Sequence, residues 1–274
     1  MELDGKVAIV TGGAGGIGAA LAEALVARNV RVVITDLAAE GLDSVAATLA
    51  EHAPGSITTI AGDAASPEHI DATIALAETE FGPVDLYFAN AGITGAPGLA
   101  ATDDEWAQVI DVNLMGHIRA ARRLVPGWVE RGVGYFVSTA SAAGLLTQLG
   151  SATYSVTKHA AVGFAEWLNV TYGDRGVRAS CLCPMGVDTK LLRPDDTPAD
   201  EGAVLMQRAV ETAGRVLTTT EVADVVIDAI GDERFLILPH PEVLEMYRHK
   251  GADYDRWLRG MRRYQQSLVD SAKP

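Results

Sequence analysis

The sequence predicts an α/β protein: one domain built on a doubly wound parallel sheet of about seven strands, with helices covering both faces. Three observations carry this expectation. Short β-branched runs alternate with longer Ala-rich runs, the pattern of repeated strand–helix–strand units. The strand-like runs are apolar throughout, as expected where both faces of a sheet are covered. At 274 residues, with no internal repeat and no low-complexity linker, the chain suits a single α/β domain.

Taken in order, KVAIVT (6–11) reads as the first strand and 16–28 as its helix. VRVVITD (30–36) and SITTIAGD (56–63) follow as strands, with helices at 38–51 and 67–80. VDLYFAN (84–90) precedes one long helix at 103–130, and VGYFVST (133–139) precedes a helix at 153–173. VRASCLCP (177–184) is the sixth strand and RFLILP (234–239) the seventh, with a helix at 219–230 between them. Thr218 and Glu221 in TTTE form a capping box that opens that helix. Two segments break the rhythm. Residues 190–217 make a connection of about twice the usual length, read as a substrate lid within a domain spanning 1–241. Residues 242–274 read as a helical extension, with Met246, Tyr247, Tyr254, Trp257, Leu258, Met261 and Tyr264 at near-helical spacing among arginines.

Composition excludes several function classes. A net charge of −14 repels nucleic acid and anionic membranes and favours small-molecule chemistry. No apolar run approaches the roughly 18 residues of a membrane helix. The opening MELDGKVAIV resembles neither a signal nor a transit peptide, so the expectation is a soluble, cytoplasmic protein. Cys181 and Cys183, two positions apart on a strand, are read as small buried apolar residues. Two ligands alone make no zinc site, so no metal is expected.

TGGAGGIG (11–18) directly follows the first strand and opens the first helix. Glycines there let the backbone turn and approach a pyrophosphate held at the helix N-terminus, as in Rossmann-like folds. Two registers fit: Gly13, Gly15 and Gly18 as GxGxxG, or Gly12, Gly16 and Gly18 as TGxxxGxG. Asp36 ends the second strand, where a carboxylate can accept both ribose hydroxyls of an adenosine and would repel a 2′-phosphate. No Arg or Lys occurs in 11–18 or at 37 to offset that repulsion, so NAD (NADH) is expected over NADP.

With NAG (90–92), Asn113 in DVNLMG, Ser141 in SAAG, YSVTK (154–158) and PMGVDT (184–189), the chain resembles the short-chain dehydrogenase/reductase family over residues 5–240. Tyr154 and Lys158 stand one helical turn apart, so the ammonium is expected to bias the phenol toward its phenolate. The resemblance implies that Tyr154 is general base in alcohol oxidation and general acid in carbonyl reduction. It further implies that Lys158 holds the nicotinamide ribose, Ser141 bonds the reacting oxygen, and Asn113 fixes a water leading from Lys158 to solvent. Cofactor contacts are implied at Gly12, Gly16, Ile17, Gly18, Asp36, Asp63, Ala64, Asn90, Gly92, Pro184, Val187 and Thr189, besides Tyr154 and Lys158. Met185 departs from the family pattern by standing where a glycine is usual, and Ala89 stands where an Asn is usual.

The expected substrate is a small-molecule alcohol or ketone, bounded by 142–150, Met185, Leu191 and Leu192, with Ser141, Gln148, Tyr154 and Met185 as contacts. No Arg or Lys occurs in 140–157, which favours an apolar secondary alcohol over a sugar phosphate. The resemblance also implies a homodimer or homotetramer assembled through helices such as 153–173, which carries Ala160, Ala161, Gly163 and Ala165. Two rival readings stay open: an NAD(H)-sensing binding or regulatory protein without turnover, and a ketone reductase that prefers NADPH.

Overall fold

The computed structural model describes residues 1–95, 98–193 and 201–271. Its strands are β1 (Val7–Thr11), β2 (Arg31–Asp36), β3 (Ile57–Ala61), β4 (Leu86–Ala89), β5 (Gly134–Thr139), β6 (Val177–Leu182) and β7 (Leu236–Ile237). They pair in parallel in the order β3-β2-β1-β4-β5-β6-β7. The helices are α1 (Gly16–Val26), α2 (Ala39–His52), α3 (Pro67–Glu80), α4 (Asp103–Ile110), α5 (Gly116–Arg131), α6 (Ala143–Leu146), α7 (Ala152–Tyr172), α8 (Glu201–Ala213), α9 (Thr219–Gly231), α10 (Glu242–Ala252) and α11 (Tyr254–Asp270).

Alternation along the strands divides the core in two. Ala8 and Val10 of β1 join Leu21, Leu25, Leu42, Val226 and Ile230, so α1, α2 and α9 cover one face. Val7 and Ile9 join Ile70, Leu124, Trp128 and Leu168, so α3, α5 and α7 cover the other. The period of two in a strand requires this split. Burial on both sides also explains why the strands read as continuous apolar runs. Trp128 shows how tightly the layers meet: its indole N–H donates to the Val84 carbonyl at 2.8 Å. A Cβ on Gly134 would lie 2.1 Å from the indole ring.

After β3 the chain crosses back over β1 to begin β4, so β1 and β4 diverge at their carboxyl ends and leave a crevice. Thr11 and Asn90 lock the floor of that crevice. The Thr11 hydroxyl accepts from the N–H groups of Asn90 and Ala91, each at 2.9 Å. The Asn90 amide donates to the Thr11 carbonyl at 3.0 Å and accepts from the Thr139 hydroxyl at 3.2 Å, which ties β1, β4 and β5 together.

Three elements differ from expectation. The long helix at 103–130 is interrupted by a π turn, Asp111–Met115, between α4 and α5. The periodicity of the segment hides a single extra residue in the winding. The excursion at 190–217 contains α8; its stretch 194–200 lies outside the described residues. The tail is two helices rather than one continuous run, because Asp253 leaves helical geometry at φ −151° and caps α11 by accepting from the Arg256 N–H at 2.9 Å. Among the described residues, no helix is long and apolar enough to cross a membrane.

Candidate active site

The glycine loop resolves the two registers. Gly12 and Gly16 adopt φ of +68° and +56°, in the left-handed region that favours glycine. A Cβ on Gly18 would lie 2.0 Å from the Gly12 carbonyl oxygen, whereas Gly15 is extended and has nothing within 4 Å of that position. The structural demand therefore falls on Gly12, Gly16 and Gly18, and on Gly13, where a Cβ would lie 2.7 Å from the Ile34 Cβ; the GxGxxG register fails at Gly15, which carries none. Gly15 caps α1 without a side-chain hydrogen bond, so the first-turn N–H groups remain for an anion. At the next strand tip, Asp36 accepts from Ala14 N–H at 3.2 Å and Ala38 N–H at 3.1 Å, which fixes its carboxylate beside the loop. This cradle fits a dinucleotide pyrophosphate and ribose.

A cleft of about 970 Å³ opens above these strand ends. It is lined by Gly12, Gly16, Ile17 and Asp36 on one side and by Ser141, Tyr154, Lys158, Pro184, Met185 and Gln148 on the other. Asn90 and Gly92 lie between, and Val187 and Thr189 close the crossing, the Thr189 methyl standing 3.3 Å from where a Gly16 Cβ would be. Gly18 packs beneath the loop and is absent from the lining. Asp63 and Ala64 also do not line the cleft: Asp63 is exposed and accepts from Ala65 N–H at 2.8 Å.

Tyr154 and Lys158 reach the cleft from the first two turns of α7, which Ser151 caps by accepting from the Tyr154 N–H at 3.2 Å. The Lys158 ammonium is 5.5 Å from the Tyr154 ring centre and donates to the Thr139 carbonyl at 2.9 Å. Ser141 accepts from Ala143 N–H at 3.1 Å and donates to the Pro184 carbonyl at 3.4 Å, and its hydroxyl acts on the Tyr154 phenol. Asn113 lies fully buried inside the π turn, a local distortion common at functional sites. Its amide accepts from Ile93 N–H at 2.9 Å and donates to the Ile93 carbonyl at 2.9 Å and to Thr157 at 3.1 Å. Asn113 thereby fixes the segment after Gly92. A Cβ on Gly92 would stand 3.2 Å from both the Asn113 amide oxygen and the Lys158 nitrogen, so glycine there lets the two approach.

The electrostatics correct one expectation. In the protein alone, the Tyr154 phenol is pushed up from its ordinary value, not down. Burial is the largest cause; hydrogen bonding to Ser141 opposes it, and neighbouring Cys183 adds to it. Burial likewise brings Lys158 down to about 8. The amine is thus poised to exchange protons near neutrality, while the phenol's shift is set by burial, Ser141 and Cys183 rather than by the ammonium.

Two contributing residues, His117 and His240, carry no signal in the sequence. His117, buried on α5, bonds the Ser138 hydroxyl at 3.0 Å. Burial and the nearby Lys158 charge hold it down at about 3, hence neutral. His240 accepts from Met185 N–H at 3.1 Å, so its other nitrogen donates to the Arg215 carbonyl at 2.9 Å. Met185 is therefore anchored through its backbone while its side chain faces Gly214. Gln148 turns its amide toward the Leu149 and Met206 carbonyls, at 3.2 and 3.4 Å. Met246, Trp257, Met261 and Tyr264 also line the cleft. Cys181 and Cys183 are free, buried thiols with sulfurs 3.8 Å apart.

Residues 6–199 match the short chain dehydrogenase family. The chain belongs to the short-chain dehydrogenase/reductase family. This short-chain dehydrogenase/reductase is 33% identical to 1-deoxy-11-beta-hydroxypentalenate dehydrogenase of Streptomyces avermitilis, over 88% of its own length and 87% of the relative's. It is 32% identical to (+)-borneol dehydrogenase 1 of Salvia officinalis, over 85% and 89% of the two chains. Its fold superimposes with a TM-score of 0.84 on a Burkholderia phymatum short-chain dehydrogenase/reductase solved in complex with NAD, at 31% identity over 93% and 96% of the chains. It is an oxidoreductase with a Rossmann-like parallel sheet.

Proposed function

We propose that this short-chain dehydrogenase/reductase interconverts an apolar secondary alcohol and its ketone with NAD(H), using Tyr154 as the proton-transfer group. The observation that carries the reading is the convergence of Ser141, Tyr154 and Lys158 on one cleft wall, facing the glycine loop at the switch point of the sheet. Relatives named as dehydrogenases of hydroxypentalenate and borneol support an alcohol as substrate.

Gly12, Gly16, Ile17 and the α1 N-terminus would hold the cofactor's pyrophosphate, Asp36 the adenosine ribose, Lys158 the nicotinamide ribose, and Val187 and Thr189 the carboxamide side. When bound, the nicotinamide supplies the two-electron chemistry, taking or returning a hydride at the carbon that bears the oxygen. Ser141 and Tyr154 hold the substrate oxygen by hydrogen bonds. In oxidation Tyr154, as phenolate, takes the hydroxyl proton; in reduction the phenol returns it to the carbonyl oxygen. Lys158 carries protons between Tyr154 and the Gly92–Asn113 side of the site. Asp36 with Glu40, both on the cleft wall, supports NAD over NADP through repulsion of a 2′-phosphate.

Incubating the protein with NAD and a panel of cyclic and aromatic secondary alcohols tests the reading at 340 nm. A substrate-dependent rise in absorbance is expected, with tighter binding of NADH than NADPH. A flat trace across the panel, and across the matching ketones with NADH, would instead favour a cofactor-sensing role.

The outer face of α7 supports assembly with a second copy. Val156, Trp167 and Val170 are exposed there, beside Gly163, which has open space around it.

A further inference from the structure

Beyond Tyr154 the cleft is walled by the C-terminal tail. Met246 of α10 and Trp257, Met261 and Tyr264 of α11 line it. Positions 257, 261 and 264 follow the spacing of one helix face. Arg256, Arg259, Arg262 and Arg263 are exposed.

The wall is fastened at both ends. Lys250, only 4% exposed, donates to the Leu145 carbonyl at 2.6 Å and lies 5.2 Å from the Tyr254 ring centre, clasping the tail to α6 just after Ser141. Tyr264 donates to the Ala209 carbonyl at 3.1 Å and shares a 2.6 Å hydrogen bond with Thr212, gripping α8. Gln148 completes the frame by donating to Met206 of α8 at 3.4 Å. These bonds engage the Gln148 amide and the Tyr264 and Thr212 hydroxyls, so an occupant meets chiefly an indole, a phenol ring, thioethers and hydrocarbon. Among the described residues, the charged ones that line the cleft, Asp36, Glu40, Lys158 and Lys190, come from other segments.

We propose that α11, through Trp257 and Met261, is the specificity wall of this enzyme: it packs the apolar portion of the substrate distal to the reacting carbon and selects fused-ring secondary alcohols over single-ring ones. The inference rests on the alcohol–ketone reading of Tyr154. Flat aromatic and pliable thioether surfaces suit a rigid hydrocarbon. A wall of four large side chains covers more of it than a lone six-membered ring presents.

The test is the ratio of kcat/KM for decahydro-2-naphthol to that for cyclohexanol, with NAD. Trp257→Ala and Met261→Ala should each lower the ratio, Trp257→Ala by roughly tenfold or more, the scale on which hydrophobic pockets discriminate. A ratio unchanged in both variants overturns the proposal, and Met261→Ala decides alone if Trp257→Ala fails to fold. If the wild-type protein converts neither these alcohols nor any other alcohol or ketone of the panel, the alcohol–ketone reading fails while the wall stays open to a direct test. Titration with 2-decalone should quench wild-type tryptophan emission saturably, and Trp257→Phe should lose that component. Equal quenching in both proteins overturns the wall.

Discussion

Lys158 is the residue at which burial and chemistry meet. Its amine is 3% exposed, bonded to Thr139, and brought down by burial to about 8 from an ordinary 10.5. Between those values the unfolded chain binds the proton that the folded chain has released, so folding stability gains with rising pH. Below about pH 8 the amine is charged in both states and the full burial penalty applies; above about 10.5 it is neutral in both and the penalty is gone. Comparing wild type with Lys158→Met cancels the titrations that the Lys158 charge does not touch, leaving its own and its effects on His117 and Cys181. The difference in unfolding free energy should move in favour of wild type, by an amount on the order of 3 kcal/mol at about 1.4 kcal/mol per decade, as pH rises through that window. A difference that stays flat with pH would show that the amine is not desolvated. The sequence placed Tyr154 and Lys158 correctly as neighbours, because helical spacing alone decides that. It could not give the sign of the phenol's shift, because that depends on the water excluded by distant strands and loops.

At the scale of elements, the glycine loop separates conformational need from mere abundance. Gly15→Ala should fold with a melting temperature near wild type, since its backbone is extended and the space around it is open. Gly18→Ala should lower the melting temperature and weaken NADH binding at least tenfold, because the new methyl would meet the Gly12 carbonyl. Equal behaviour of the two variants in thermal melts and NADH titrations contradicts this packing. The surplus glycine left two registers open in the sequence; only backbone angles and close approaches distinguish them. Helix 103–130 was legible as an apolar period yet not as a broken one. Its π turn carries Asn113, whose amide bonds both Ile93 backbone groups, a pairing across 20 residues. The tail break at Asp253 had a local signal, a capping residue, that the continuous aromatic stripe masked.

For the whole molecule, the parallel sheet followed from alternating runs, and the end of it that carries the cofactor cradle from the first glycine loop. What stayed hidden was long-range: the tail returning to wall the cleft, and His240 reaching back from beyond β7 to hold Met185. The exposed face of α7 makes a prediction at this scale. Trp167 is 53% exposed and stacks on Phe164 at 6.2 Å. Sedimentation equilibrium should give at least a dimer for wild type, and Trp167→Arg should shift the mass toward monomer. A wild-type monomer at micromolar concentration would rule out assembly through α7.

The central claim is that Tyr154 transfers the proton while the bound dinucleotide carries the hydride, and single-turnover kinetics address it most directly. With any alcohol or ketone that wild type converts, Tyr154→Phe should still bind NADH within a few-fold, yet lose roughly 10²- to 10⁴-fold in the rate of hydride transfer. A phenylalanine variant that transfers hydride at the wild-type rate would contradict the account.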